Sequence, residues 1–314
     1  MKRDTSITTC LAVLLTVVLA TVGCSTDETT PQREVDRDAD ADEARAGTLL
    51  AEYAQPREGR AGGLSVHAQF IDVQGVSYDE ALAALEVWYP DWNLSSETCD
   101  LREEPSISQT EADDIRMELL DVGPIDVRGP NEAIELQARR IPDLLSSFSG
   151  VIYGTDRSYE DRPLRLGFEP GARYDFDAPG TRHSGDFAVS LHSPQPVRIE
   201  SIGHRPITDD ARRDWDFDTD LTVQWRPEPD DRNADALFLH LSSGFGPDRP
   251  SMTCRLEDDG SFAIPGPLLE QLSAESNELD LALRRVNTES VDIDGLETSE
   301  FVFSTVDEVT IVDR

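Results

Sequence analysis

The sequence predicts a mainly β protein: two β-sandwich-like domains with one or two short helices, preceded by an apolar leader and a disordered acidic tether. Three observations predict it. Short runs that alternate apolar and polar residues recur from Leu64 to the C-terminus, and a period of two is the strand period. Glycine and proline punctuate them, as at Gly129-Pro130, Pro170-Gly171 and Pro179-Gly180, and short strands between such turn signals suggest sandwiches or barrels. Ser25 to about Arg60 carries many acids and few large apolar residues, too few to offset the entropy of ordering.

The leader comes first. Lys2 and Arg3 are followed by a stretch, Thr5 to Thr26, without charge, whose apolar heart is Leu11 to Val22, "LAVLLTVVLATV". A basic start and a short apolar run make a secretory signal, assigned to residues 1–23. A membrane-spanning helix needs about 20 strongly apolar residues, and Thr8, Thr9, Thr16 and Thr21 dilute this run. Residues 24–61 read as the tether, with a weak helical stretch near Ala44 to Tyr53. A flexible chain of that length reaches roughly 35 Å.

Residues 62–206 read as a β-rich domain with one helix. "LSVHAQFID" points Val66, Ala68 and Phe70 to one face. In "SYDEALAALEVW", Ser77 and Glu80 form a capping box. Ala81, Leu82, Leu85 and Trp88 then recur at helical spacing and Pro90 ends the helix, placed near 78–88. Strand candidates follow: "IRMELLDV", "AIELQARRI", "GVIYGT", "LRLGFE", "ARYDFDAP" and "DFAVSLHS". "DDARRD", Asp209 to Asp214, is the best boundary, so residues 207–314 read as a second sandwich. Its strands are "DLTVQW", "ALFLHL", the two arms of "MTCRLEDDGSFAIP", "LDLALRRV", "EFVFSTV" and "EVTIVD", with a short helix in "PLLEQLSA". Asp259-Gly260 reads as a hairpin turn because that dipeptide tolerates positive φ.

Two resemblances attach to these segments. "LATVGCST", Leu19 to Thr26, resembles the lipobox of bacterial lipoproteins, with Thr21 where leucine is usual and Val22 bulkier than average. The resemblance implies cleavage before Cys24 and a diacylglycerol on its thiol. Two or more acyl chains anchor stably where one is marginal. The body would then sit in the cell envelope. Ser25, not aspartate, follows the cysteine, which in a Gram-negative host points to the outer membrane or cell surface. An uncleaved single span is the alternative, and it too leaves the body outside the cytoplasm. "LTVQWRPEPDD…ADALFLHL" is similar to the second and third strands of fibronectin type III or immunoglobulin-like sandwiches, with Trp225 as core. That implies a fold and no activity.

Charge excludes some partners. The net charge is -35, and because Lys2, Arg3 and Asp4 leave +1 in the leader, the remainder carries -36. No basic patch is evident, so nucleic acid is not a partner, and the membrane is reached only through the lipid. Lys2 is the sole lysine. Abundant acids with arginine as the cation fit a halophilic surface, where salt screens self-repulsion.

Candidate sites are few. Outside the leader and Cys24, only Cys99 and Cys254 remain. Export permits them to form a disulfide; two separate buried thiols are the alternative. No CxxC, GxSxG or HExxH occurs, which removes the usual zinc, elbow-serine and zincin readings. The histidines are scattered, and His67 and His240 are expected on the wetter face of their strands. "RHSGDF" reads as a polar turn despite His183, Ser184 and Asp186. "SVDIDGLETSEF" has Phe301 where an EF-hand needs its bidentate glutamate. Interstrand acids remain as calcium candidates, Asp216, Asp218, Asp220 and Asp231, with a solvated acidic face as the simpler reading. Asn93-Leu94-Ser95 is a glycosylation sequon, and Trp88, Tyr89, Trp92, Tyr153 and Tyr159 could line a carbohydrate face or simply fill the core.

No catalytic pattern and no cofactor motif emerge. The expectation is a non-enzymatic, lipid-anchored envelope protein that binds a protein or glycan ligand, adheres, or builds structure. The alternatives are an envelope glycan hydrolase with dispersed carboxylates and a calcium-stiffened adhesion module.

Overall fold

Six alternate residues near the C-terminus, Phe301, Phe303, Thr305, Asp307, Val309 and Ile311, lay out the architecture. In an extended chain they share one face. The order is two apolar, two polar, two apolar, and all six are buried. The first pair enters one hydrophobic core and the last pair another. The polar pair falls at the seam between them.

The computed structural model describes residues 43–57, 62–75, 88–102, 116–145, 148–155, 166–207, 211–228, 236–244, 249–274 and 276–314. The leader, Cys24, residues 25–42, the expected helix up to residue 87, Tyr159 and Asp231 lie outside the described residues. The chain runs through β1 (Glu43–Ala54), β2 (Gly63–Gln74), β3 (Thr98–Arg102), β4 (Arg116–Leu119), β5 (Ile125–Arg128), β6 (Ala133–Leu136), β7 (Arg139–Leu145), β8 (Phe148–Gly154), β9 (Arg173–Ala178) and β10 (Phe187–His192). It continues through β11 (Ile199–Ile202), β12 (Arg205–Pro206), β13 (Arg212–Trp215), β14 (Leu221–Trp225), β15 (Ala236–Ser242), β16 (Ser251–Leu256), β17 (Ser261–Ile264), α1 (Gly266–Leu272), β18 (Glu278–Ser290) and β19 (Thr298–Asp313).

The protein is mainly β, as expected. One large sheet runs in the order β3-β16-β15-β18-β19-β1-β2-β4-β8-β7, and β13 also pairs with β19. Two small sheets, β10-β9-β5-β6 and β12-β11-β14-β17, complete the set. The first core joins β1, β2 and the start of β19 to β5, β6, β9 and β10. The second joins β15, β16, β18 and the end of β19 to β11, β14, β17 and α1. Two sandwiches thus share one continuous sheet, and residues 39–314 form a single compact unit.

Burial of charge marks the seam. Arg57 and Asp307 are both buried, with side chains 1% and 0% exposed. Arg57 donates from Nε to Asp307 Oδ1 at 2.6 Å, and from Nη2 to Asp307 Oδ2 and to the Ile199 carbonyl. The Ile199 amide donates to Asp307 Oδ2 at 2.7 Å. A second network forms where Arg285 donates to Asp258 Oδ2 at 2.6 Å and to the Gln195 carbonyl at 3.2 Å. Thr305 Oγ1 donates to that same carbonyl at 3.0 Å. Both networks hold the segment that leaves β10 and enters β11, which is the crossing between the small sheets.

Several expectations are corrected here. The tether does not extend to residue 61, because residues 43–54 are β1, antiparallel to β2 and parallel to β19. The expected helix near Ala44 to Tyr53 is this strand. Ala46, Leu49 and Ala51 are buried. Neighbours on both edges and cores on both faces hide the alternation that a half-exposed strand would show. Gly47 lies under Phe70, where a Cβ would stand 2.6 Å from the ring. The boundary at 206/207 is not a domain boundary either, since β19 joins β1 on one side and β18 on the other. Arg212 to Trp215 of the expected linker form β13, which continues along the β19 edge that β1 leaves. "EFVFSTV" and "EVTIVD" are one strand, and among the described residues of "LRLGFE", 166–169, Leu166 forms an isolated bridge to Leu64. Asp259-Gly260 does not close a hairpin. Gly260 has φ +98, but β16 pairs with β15 and β3 whereas β17 pairs with β14. The turn carries the chain from one layer to the other. Asp258 fixes that corner by accepting Trp225 Nε1 at 2.7 Å and the Glu228 amide at 3.0 Å.

Candidate functional site

The face of the shared sheet that does not meet the small sheets carries the site. By period two, Leu49, Ala51, Val66, Ala68 and Phe70 point into the first core. Thr48, Leu50, Glu52, His67 and Gln69 therefore point to the outer face of the same strands. The doublet Arg284-Arg285 splits the same way. Arg285 faces the seam, and Arg284 faces outward.

The outer face is not bare. Trp88, Tyr89 and Trp92 pack against Leu50, Phe238, Val286 and Val302, with Trp88 and Trp92 edge-on to Phe238 at 6.0 and 5.4 Å. Three of the five aromatics considered for a carbohydrate face are thus packing residues. Tyr153 is a fourth, buried in the first core.

Beside this cover lies a cavity of about 520 Å³. β1 supplies Thr48, Leu50 and Glu52, and β2 supplies His67, Ala68 and Gln69. Arg139 and Ile141 come from β7, Ile152 and Tyr153 from β8, and Arg284 and Trp88 close the remaining side. Arg284 Nε donates to Glu52 Oε2 at 3.1 Å, and Ser304 Oγ donates to the same oxygen at 3.2 Å. The guanidinium carbon lies 4.5 Å from the centre of the Trp88 ring, a stacking that is stronger away from water. Gly154 leaves room for two wall side chains, because a Cβ there would come within 3.1 Å of His67 Nδ1 and 3.2 Å of Arg139 Nη2.

Tyr153 connects this cavity to a second one. Its hydroxyl accepts from the Val122 amide at 3.0 Å and donates to Asp121 Oδ1 at 2.9 Å. Burial first, and the Asp121 carboxylate with it, raise its pKa far above the ordinary phenol value, so it stays a neutral donor. Asp121 lines the second cavity, of about 640 Å³, with Glu118, Arg140, Thr181, Arg182 and His183.

Other sequence candidates are placed as follows. Cys99 and Cys254 are bonded to each other as a directly opposed pair on β3 and β16. Asp216 and Asp218 adjoin on the turn after β13. Asp218 is raised above the usual carboxylate value by its hydrogen bond to Asp216 and by that neighbour's charge, with Glu270 and Asp313 adding to it. Asp220 is turned to other use, its Oδ1 accepting the Gly266 amide at 3.0 Å at the start of α1. Residues 214–220, "DWDFDTD", are the end of β13 and the turn that leads to β14, so their acids do not share one strand face. Among the described residues no group of three or more acids, histidines or cysteines could hold a metal ion. "RHSGDF" is a turn in which Ser184 O accepts from Thr181 N, and His183 Nε2 meets Arg182 rather than Ser184. "SVDIDGLETSEF" is the β18–β19 connection, with Phe301 in the core.

His240 is on the outer face as expected but is only partly exposed. Burial first, then Arg284 and Arg102, push it down to about 3, so it is neutral at ordinary pH and pairs through Nδ1 with Thr253 Oγ1 at 3.0 Å. Sequence reasoning missed Glu52, Arg139 and Arg284. The signal for Arg284 was present: a doublet of arginines inside an apolar strand cannot leave both faces without buried charge.

No protein-family model matches the chain, and no curated protein matches it. Among solved structures, a yeast delta-COP-I mu-homology domain aligns at 8% identity over 87% of this chain and 97% of that chain, with a TM-score of 0.17; a likeness at that score carries no argument.

Proposed function

We propose that this is an exported, lipid-anchored envelope protein whose folded body binds a ligand rather than transforming one. The observation that carries the binding role is the outer-face cavity, roofed on one side by Trp88 and supplied with both charged and apolar walls. Ligand pockets of about 300–1,000 Å³ with a few convergent polar groups are the common form of such sites. The anchor rests on "LATVGCST" and its basic, apolar leader. Growth with labelled palmitate tests it: the wild-type chain takes up label and Cys24→Ala does not. An unlabelled wild-type chain removes the anchor from the account.

A hydrolase is the second reading, favoured by Glu118 and Asp121 on the wall of the second cavity. Asp121 also accepts the Tyr153 hydroxyl, which ties its carboxylate in place. Incubation with envelope glycan separates the readings. Release of soluble sugar that Glu118→Gln abolishes favours the hydrolase.

A further inference from the structure

We propose that the outer-face cavity takes a small neutral molecule with an acceptor oxygen at each end of a short hydrocarbon body, the chemistry of a diester. The inference rests on the binding role and names the ligand class for that same cavity.

The charges of the wall are already engaged. Arg284 Nε lies 3.1 Å from Glu52 Oε2, and its Nη2 lies 3.9 Å from Glu308 Oε1. Arg139 has an interaction of its own. A charged ligand would have to disturb these arrangements, and an anion would also enter against a chain of net charge -35. A neutral occupant disturbs none of them.

Hydrogen bonding sets the polar groups of that occupant. Gln69 and Arg284 are 8% and 7% exposed. Gln69 Nε2, Trp88 Nε1 and Arg284 Nη1 are buried with no hydrogen-bond partner among the described residues. All three belong to residues of this wall, and all three are donors. Buried polar groups are paired as a rule, so three exceptions around one cavity need an explanation. An ester carbonyl supplies acceptor oxygen and no donor, which complements them. The hydroxyls of a sugar would bring further donors, and the Trp88 face on which a sugar ring would stack is held by Arg284. The terminal torsion of glutamine is broad, so the Gln69 amide can turn its N–H groups to an acceptor.

Register sets the spacing. Thr48, Leu50 and Glu52 form the β1 row of the wall. Gln69 pairs with Thr48 at one end of that row. Arg284 reaches Glu52 at the other end and stacks on Trp88. The row from Thr48 to Glu52 is roughly 13 Å long at the rise of a strand. A hydrogen bond of about 2.9 Å at each end leaves roughly 7 Å between the two acceptors, which a short methylene chain spans. Leu50 stands in the middle of the row, and Ile141 and Ile152 add apolar wall, which suits such a chain.

The test titrates the full acylated chain in detergent, against a matched detergent blank, with dimethyl adipate, with the single ester methyl heptanoate and with the dianion adipate. Dimethyl adipate is expected to bind, methyl heptanoate at least tenfold more weakly, and adipate not at all. Gln69→Leu is expected to bring dimethyl adipate down at least tenfold, to the level of methyl heptanoate, without lowering the melting temperature, since its amide nitrogen gives up no partner. Ile152→Trp, which fills the cavity, is expected to abolish binding. If Ile152→Trp does not fold, the indole N–H signal of Trp88, assigned among the four tryptophans by Trp88→Phe, carries the placement: dimethyl adipate is expected to move it. Equal binding of the two esters, or tighter binding of adipate, overturns the assignment and leaves the binding role standing if Ile152→Trp blocks it. Binding of none of the three overturns the assignment and the cavity as a ligand site together. Binding that neither Ile152→Trp nor the Trp88 signal registers places the site elsewhere and also overturns it.

Discussion

Removing the Asp307 carboxylate tests the seam. In Asp307→Ala, Arg57 keeps its charge in a site where its side chain is 1% exposed and loses both bonds to the carboxylate. The Ile199 amide loses its acceptor as well. Breaking a buried ion pair by deleting one partner costs about 3–5 kcal/mol, and an orphaned buried amide adds about 1–3 kcal/mol. These terms overlap, because water admitted to one site relieves the other, so we expect a loss of about 4–6 kcal/mol. Against a typical total of roughly 5–15 kcal/mol, that is severe. The assay is urea denaturation followed by circular dichroism, with the slope checked for constancy so that the midpoint reports stability. The charge-free pair Arg57→Met with Asp307→Leu should recover most of the loss, because exchanging both partners for apolar groups is often neutral. A cost below about 1 kcal/mol for Asp307→Ala, or a double variant no better than the single one, would refute the reasoning.

Three further outcomes follow from the same structure. Reduction of the Cys99–Cys254 bond opens a loop of 155 residues, which the chain-entropy relation puts at about 5 kcal/mol; the shift in denaturation midpoint with and without dithiothreitol measures it. Gly47→Ala drives a methyl into Phe70 at 2.6 Å and should cost about 1–3 kcal/mol as overpacking, read from the same curves. Asp218 is raised in the folded state by Asp216, so the fold holds its proton more tightly than the unfolded chain does. Its contribution is therefore most favourable below the unfolded value near pH 4 and is lost as pH rises through the raised folded value. Asp218→Asn should match the wild type in acid and melt higher at pH 7, with the gap narrowing in 1 M NaCl; a gap of the opposite sign would contradict this.

What could be read from the residues was whatever a half-exposed strand writes in its alternation. β9, β10, β14 and β16 announced themselves that way, each with one buried face, and β2 and β15 kept enough alternation to be read although Ile71, Val73 and Phe238 are buried on their opposite faces. β1 did not, because Ala46, Leu49, Leu50 and Ala51 are covered from both sides, and a run of alanine and leucine then looks like a helix. The seam was misread for a related reason. Asp209 to Asp214 is as polar as a linker, yet β13 needs only backbone bonds to β19, and backbone pairing leaves no mark on side-chain polarity. The true seam signal was the interruption at Thr305 and Asp307 in an otherwise apolar face of β19. The cavity was not legible, since Glu52, His67, Arg139 and Arg284 come from four strands that only the sheet order brings together. The Cys99–Cys254 bond was open for the same reason: 155 residues separate the pair, and only β3 lying beside β16 decides it.

We propose that one lipidated sulfur holds the acidic, two-sandwich body outside the cytoplasm. Mass spectrometry of the mature amino terminus, on protein purified from membranes, tests this most directly. The expected peptide begins at Cys24 and carries the mass of a diacylglyceryl group on its thiol. A peptide that begins at Met1, or a Cys24 with a bare thiol, would contradict it.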